Sequence, residues 1–362
     1  MQKKINWLLI LQAWSMLLVI IGHAPLQPYR NVGWTNNPQY VAVLYELALP
    51  FRMALFMMIS GYLFYLTRLS KEKWTYGKIL KDKFIRLGIP FLTFTFVAMV
   101  VKTLFSSYME RPADTNMQYF LSALIYPQKG PLGEMWFIMA IMWCFCLTPL
   151  WKLVLKNKIS MFALLFLFII LYFIPFKLDV FRKGYDFLCI GEVCHRIIWF
   201  YVGLVICKYD LFNKLRPKYF YMLFGGILIY TISYLLNFSF VKNLGLVVID
   251  IDLSFVMAIG GIMFSVGLVF LLDTYLPKIF CTFRNYTYQI FLLGMFAQVI
   301  VKIIYRHSQL PYLPMFILCI AIGLYAPVVI SIVVKKINFS PLLYCIGLKP
   351  TQKDNGENKT IN

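Results

Sequence analysis

Two side chains in the first quarter of this chain stand where chemistry is possible: His23 and Arg52. His23 closes an apolar stretch, and an imidazole there has the titration range and two-nitrogen geometry of a general base. The alternative is an ordinary polar residue at a membrane boundary. Gln12 stands eleven residues earlier, which puts it on the same helical face and about 16 Å deeper. Arg52 lies inside the run Pro50-Phe51-Arg52-Met53-Ala54-Leu55-Phe56-Met57-Met58-Ile59-Ser60-Gly61. An unpaired cation in hydrocarbon is costly, so Arg52 must face a partner, a cavity or a ligand. Neutralisation by Glu46, six residues away, is the packing alternative.

The elements that position these residues follow from composition. Of the 362 residues 61% are hydrophobic and only 14% charged, too little polar surface to coat a water-soluble globule of this size. Lipid is therefore the solvent, and the expected fold is all-α, a polytopic integral membrane protein. A bilayer core about 30 Å thick needs about 20 helical residues. Such runs occur near 5–24, 41–65, 87–105, 135–155, 159–176, 196–207, 219–238, 246–272, 286–305 and 312–334, which makes ten transmembrane helices. The sixth is expected to begin earlier, around Cys189, with Glu192, His195 and Arg196 in its first turns. The first run is read as a retained helix, because Gly22-His23-Ala24-Pro25 offers no small-x-small cleavage site.

Lysine and arginine counts orient the bundle. With the N-terminus inside, 23 fall in cytoplasmic segments and 11 in external ones, the asymmetry of the positive-inside rule. Both termini are then cytoplasmic, and His23, His195 and His307 all lie toward the outer face. The largest inner group is Arg68, Lys71, Lys73, Lys78, Lys81, Lys83 and Arg86, which suits anionic lipid. The net charge of +20 does not indicate nucleic acid, because the basic residues form short runs between apolar stretches and no stripe. The eight cysteines include no CxxC pair, so neither a metal site nor a disulfide framework is expected. Residues 1–349 read as one membrane unit, and the polar tail 350–362 as a disordered cytoplasmic segment.

Four segments share a resemblance: Leu11 to His23, Phe51 to Gly61, Lys81 to Pro90, and Glu134-Met135-Trp136-Phe137-Ile138. In this order they resemble the membrane-bound acyltransferase family 3, and within it the sugar O-acetylases of the fucose 4-O-acetylase type. Weaker echoes occur at Trp199 to Gly203 and Asn285 to Leu292. The chain departs from the family pattern at Gln12, where a basic residue is usual, and at Arg52 and Ala54, where histidine and proline are common. It departs again at Glu134 and Gly294, both usual places for histidine.

The resemblance implies transfer of an acyl group, usually acetyl, from cytoplasmic acyl-CoA to a hydroxyl of a cell-surface polysaccharide or lipid-linked glycan. His23 would be the base or a transient acyl carrier. A cation would stabilise the thioester oxygen. Because Gln12 carries no charge, that cation is assigned to Arg52, which counting rise from the helix ends places level with Gln12. Lys83, Arg86 and Gln12 are the expected donor contacts, and Glu134, Trp136, Phe137 and Ser60 the expected acceptor contacts. Acetyl-CoA or another acyl-CoA is the donor, no metal is required, and the partners are membrane lipid and sugar rather than nucleic acid. The resemblance places the chain in the inner membrane of a bacterial cell. The alternative is a relative that has lost the acyl-CoA site and exports, flips or polymerises glycan. The charge count makes one prediction testable at once: a reporter fused after Asn362 should read as cytoplasmic, and an external reading reverses the topology.

Overall fold

The computed structural model describes residues 6–26, 37–71, 73–106, 116–173, 186–237 and 253–349. The expected tail at 350–362 lies outside them, as do 5, 174–176, 238 and 246–252 of the expected spans. Among the described residues the chain is helical with no strand, as hydrocarbon requires of a backbone that must satisfy its own polar groups.

Helix α1 is Asn6–His23 and α2 is Gln39–Phe64, which runs on into a π-helical turn, Tyr65–Leu69. Helix α3 (Tyr76–Lys83) passes through a second π turn, Phe84–Gly88, into α4 (Ile89–Leu104). Then come α5 (Met117–Ile125), α6 (Trp136–Cys146), α7 (Thr148–Val154) and α8 (Lys158–Phe173). The C-terminal half contributes α9 (Ile190–Lys208), α10 (Leu211–Leu215), α11 (Tyr219–Asn237) and α12 (Ser254–Tyr275). It ends with α13 (Thr287–Arg306), α14 (Tyr312–Ile337) and α15 (Ser340–Cys345).

Eight helical stretches among the described residues are long and apolar enough to cross a membrane. A ninth results if α6 and α7, bent by 51° at Leu147, form one span. The remaining expected span corresponds to α8, whose described part is 16 residues. Glu192, His195 and Arg196 do fall in the first turns of α9.

Close packing in lipid depends on small residues, since apolar tails compete equally well for apolar faces. Helix α2 packs against α1, α9 and α12. A Cβ on Gly61 would sit 1.9 Å from the Phe200 carbonyl oxygen, and one on Gly203 would sit 2.0 Å from the Met58 carbonyl oxygen. The backbones of α2 and α9 touch there, and the helices run parallel, since Arg52 and Arg196 interact early in both and Tyr62 meets Cys207 near their ends. Gly226, Gly260 and Gly267 bring α11 and α12 together in the same way. At the far end of α1, Trp7 is enclosed edge-on by Tyr62, Phe212 and Phe270. Tyr62 therefore lies level with Trp7, and α1 and α2 are antiparallel.

Replacing Gly203 by Ala should separate α2 from α9 and destabilise the protein by about 1–3 kcal/mol, the usual effect of overpacking. Gly77→Ala, where a Cβ meets nothing within 4 Å, is the neutral control. Thermal unfolding in detergent checks both, and equal melting temperatures would contradict the backbone contact.

Candidate functional site at the His23 end

Helix α1 terminates at His23, and the Glu134 carboxylate lies 3.8 Å from its Nδ1. That separation is within ion-pair range but longer than a hydrogen bond. Glu134 reaches this position from a 3-10 turn, Gly133–Met135, directly ahead of α6. Both side chains are about one-third exposed, at 28% and 34%, so the pair sits at the rim of the bundle.

Arg52 approaches the same place from below and is only 7% exposed. A Cβ on Gly22 would lie 1.7 Å from the Arg52 Nη1, so the guanidinium occupies space that any other residue at 22 would fill. Its Cζ lies 5.0 Å from the centre of the Tyr45 ring. Nη1 has no hydrogen-bond partner among the described residues. A helical side chain leans toward its own N-terminus. Since α2 starts at the His23 end, Arg52 extends toward that end.

This geometry corrects two expectations. Gln12 and Arg52 are not level where it matters: Gly22 is ten residues from Gln12, or about 15 Å along α1. Counting rise located the backbone of Arg52 and ignored the reach of its side chain. Glu46 is not its partner either, for six residues turn the helix by about 600° and leave the two on different faces. The Glu46 carboxylate is instead hydrogen-bonded by Tyr234.

A second cation borders the site. Arg196 donates from Nε to Glu192 Oε2 at 2.7 Å, and its Cζ lies 4.7 Å above the Trp136 ring. Gln128 Nε2 donates to the other Glu192 oxygen at 3.0 Å. The first turn of α9 that carries these residues is anchored by Asp186, whose carboxylate accepts from the amides of Gly191 (2.7 Å) and Glu192 (3.0 Å). A negative group is favourable at a helix N-terminus. Burial pushes the Asp186 carboxyl up from its ordinary range, and the two amides oppose that shift. Just before α9 the backbone turns through Leu188 (φ 49°) and Cys189 (φ 60°), a strained conformation for residues with a Cβ. Trp143 Nε1 holds it by donating to the Leu188 carbonyl at 3.0 Å.

Helix α13 supplies residues that the sequence reading missed. Lys302 joins Arg52 and Glu134 in acting electrostatically on His23. Gln298, one turn earlier, donates from Nε2 to the Ile20 carbonyl at 3.0 Å. Their spacing of four, inside an apolar span, was the available signal.

The remaining expected residues are dispersed. Phe137 is buried beneath Trp136 and touches Phe56 and Phe291. Ser60 donates to the Phe56 carbonyl of its own helix at 2.9 Å. Gln12 is half-buried midway along α1. Lys83 lies near the opposite end of the bundle, its amine 3.9 Å from the centre of the Phe145 ring and 5.5 Å from that of Phe64. Phe64 is twelve residues from Arg52 along α2, a separation of about 18 Å. Arg86 is exposed on the same side as Lys83, and its carbonyl accepts from the Tyr288 hydroxyl at 2.8 Å. His195 is engaged structurally: its Nδ1 lies 2.9 Å from the Tyr172 carbonyl and its ring packs on Tyr172. No cluster of three His, Cys, Asp or Glu residues placed to hold a metal occurs among the described residues.

An imidazole with a carboxylate at one nitrogen, beside a buried guanidinium with an uncommitted N–H, can accept a proton and steady a developing oxyanion. No curated protein and no solved structure matches the chain. Residues 5–332 match the acyltransferase domain of the acyltransferase 3 family. By that match, which covers nearly all of the membrane-embedded sequence, the chain belongs to the acyltransferase 3 family.

Proposed function

We propose that this membrane acyltransferase moves an acetyl group from cytoplasmic acetyl-CoA to a hydroxyl of a cell-surface polysaccharide or its lipid-linked precursor, in the inner membrane of a bacterium. The observation that carries this reading is the convergence of His23, Glu134 and the Arg52 guanidinium at one end of the bundle. With Glu134 facing Nδ1, the favoured neutral tautomer keeps its proton there and leaves the Nε2 lone pair for the acceptor.

His23 takes the proton from the acceptor hydroxyl, and the freed oxygen attacks the thioester carbonyl. The carbonyl oxygen gains charge beside Arg52, which offers an N–H that is already desolvated. The carbon–sulfur bond then breaks, the thiolate takes the proton from the imidazolium, and free coenzyme A and the ester result. Trp136, with Arg196 on one face of its ring, borders the acceptor. On the donor side, exposed Arg86 pairs with phosphate oxygens. Lys83, wedged between aromatic rings, supports that loop from beneath. The distance from Phe64 to Arg52 is crossed by the extended arm of the donor.

His23→Ala should lower acetyl transfer by at least about 10²-fold, the contribution of one general base, with unchanged membrane insertion. Thiol release on mixing acetyl-CoA with glycan is the readout. Glycan movement without thioester consumption would favour the export reading and remove this one. Arg52→Gln should reduce the rate by about 10²–10³, the effect of deleting one electrostatic stabiliser. Gly22→Ala, by displacing the guanidinium, should approach the same loss with Arg52 still present. Gln12→Arg should not rescue Arg52→Gln, because its charge lies about 15 Å too deep. Rescue would restore equivalence of the two positions.

A further inference from the structure

The last turn of α1 leaves four carbonyls without an intrahelical partner, those of Ile20, Ile21, Gly22 and His23. The amide of Ala24 satisfies Ile21 at 3.1 Å. Ile20 is satisfied from another helix, by the Gln298 side chain at 3.0 Å. A helix carbonyl points along the axis toward the residue four positions later, so an amide that reaches the Ile20 oxygen takes the place of the Ala24 amide at the end of the turn that carries His23. The orientation of that amide is determined, because the flipped form would oppose two oxygens.

The surroundings are shaped for this contact. Gln298 is 1% exposed, and a polar side chain buried in hydrocarbon is costly unless it serves an interaction. A Cβ on Gly323 would lie 2.9 Å from Gln298 Nε2, and one on Gly294 would lie 2.7 Å from the Ile20 side chain. Two glycines on α13 and α14 thus let the amide and the end of α1 approach each other. On another side of the same turn, the Arg52 guanidinium rests on Gly22.

We infer that Gln298 is a positioning residue: it holds the terminal turn of α1 from α13 and thereby sets where the His23 imidazole stands against Glu134 and Arg52. The inference rests on the proposed role of His23 but concerns its placement, which can be measured without turnover. The probe is diethyl pyrocarbonate applied to the full-length protein in detergent, with carbethoxylation of His23 quantified by mass spectrometry against His307 as internal reference. Gln298→Leu keeps the volume and removes the donor. It should change the His23 rate several-fold relative to His307 and lower kcat about tenfold, the scale of one lost hydrogen bond, with the acceptor KM little altered. Gly323→Ala retains Gln298 but displaces its amide, and should reproduce both effects.

If Gln298→Leu does not fold, the Gly323→Ala variant decides alone. Unchanged His23 reactivity in either folded variant would overturn the inference. Altered reactivity with no transfer activity in the wild-type protein would leave the positioning intact and refute the proposed reaction instead.

Discussion

A guanidinium removed from water needs aromatic or oxygen partners close by, because hydrocarbon supplies none. Arg52 meets that demand with the Tyr45 ring on one side and the bare backbone of Gly22 on another. The demand propagates. Residue 22 must lack a side chain, α1 must end where the cation arrives, and the loop before α6 must bring Glu134 to the same level. The histidine at the helix end, the carboxylate beside it and the cation beneath it are then consequences of accommodating one charge.

The bundle holds this arrangement by approach of backbones rather than by a hydrophobic drive between helices. Gly61 with Gly203 and Gly226 with Gly260 remove the spacing that side chains would impose. Hydroxyls inside the spans satisfy themselves locally: Ser15, Ser60, Thr95, Ser265 and Ser331 each donate to the carbonyl four residues back. That leaves few polar groups to bridge between helices. Trp14 to Ser265 at 3.2 Å is one such bridge, and Gln298 to Ile20 is another.

The helices were legible in the sequence because, of the two backbone solutions that lipid permits, helix and closed barrel, apolar runs of about 20 residues suit the helix; the span count was less so, since one run is a pair bent by 51° and another has a described helix of 16 residues. His23 and Arg52 were legible as polar groups in apolar surroundings, and Trp136 through a motif. What could not be read was which helices face each other. Lys302 lies near the end of an apolar run, and only the packing of α13 against α1 brings its charge to bear on His23. Arg196 looked like an element boundary until Trp136 came under it. The depth of Arg52 failed for a related reason: rise per residue locates a Cα, whereas the long side chain decides where its charge resides.

The glycine contact between α2 and α9 also has a mechanical meaning. Each backbone presses on a carbonyl of the other helix, so neither can slide or roll past its neighbour without collision. Arg52 and Arg196 therefore stand on two helices locked together, and that contact sets their spacing. Helix α1 is held at both ends, by Trp7 among Tyr62, Phe212 and Phe270 near its start and by the Gln298 amide with the buried Ala24 and Leu26 at its end. The position of His23 is thereby fixed from two directions, by the arginine beneath Gly22 and by the helices that enclose Ala24 and Leu26.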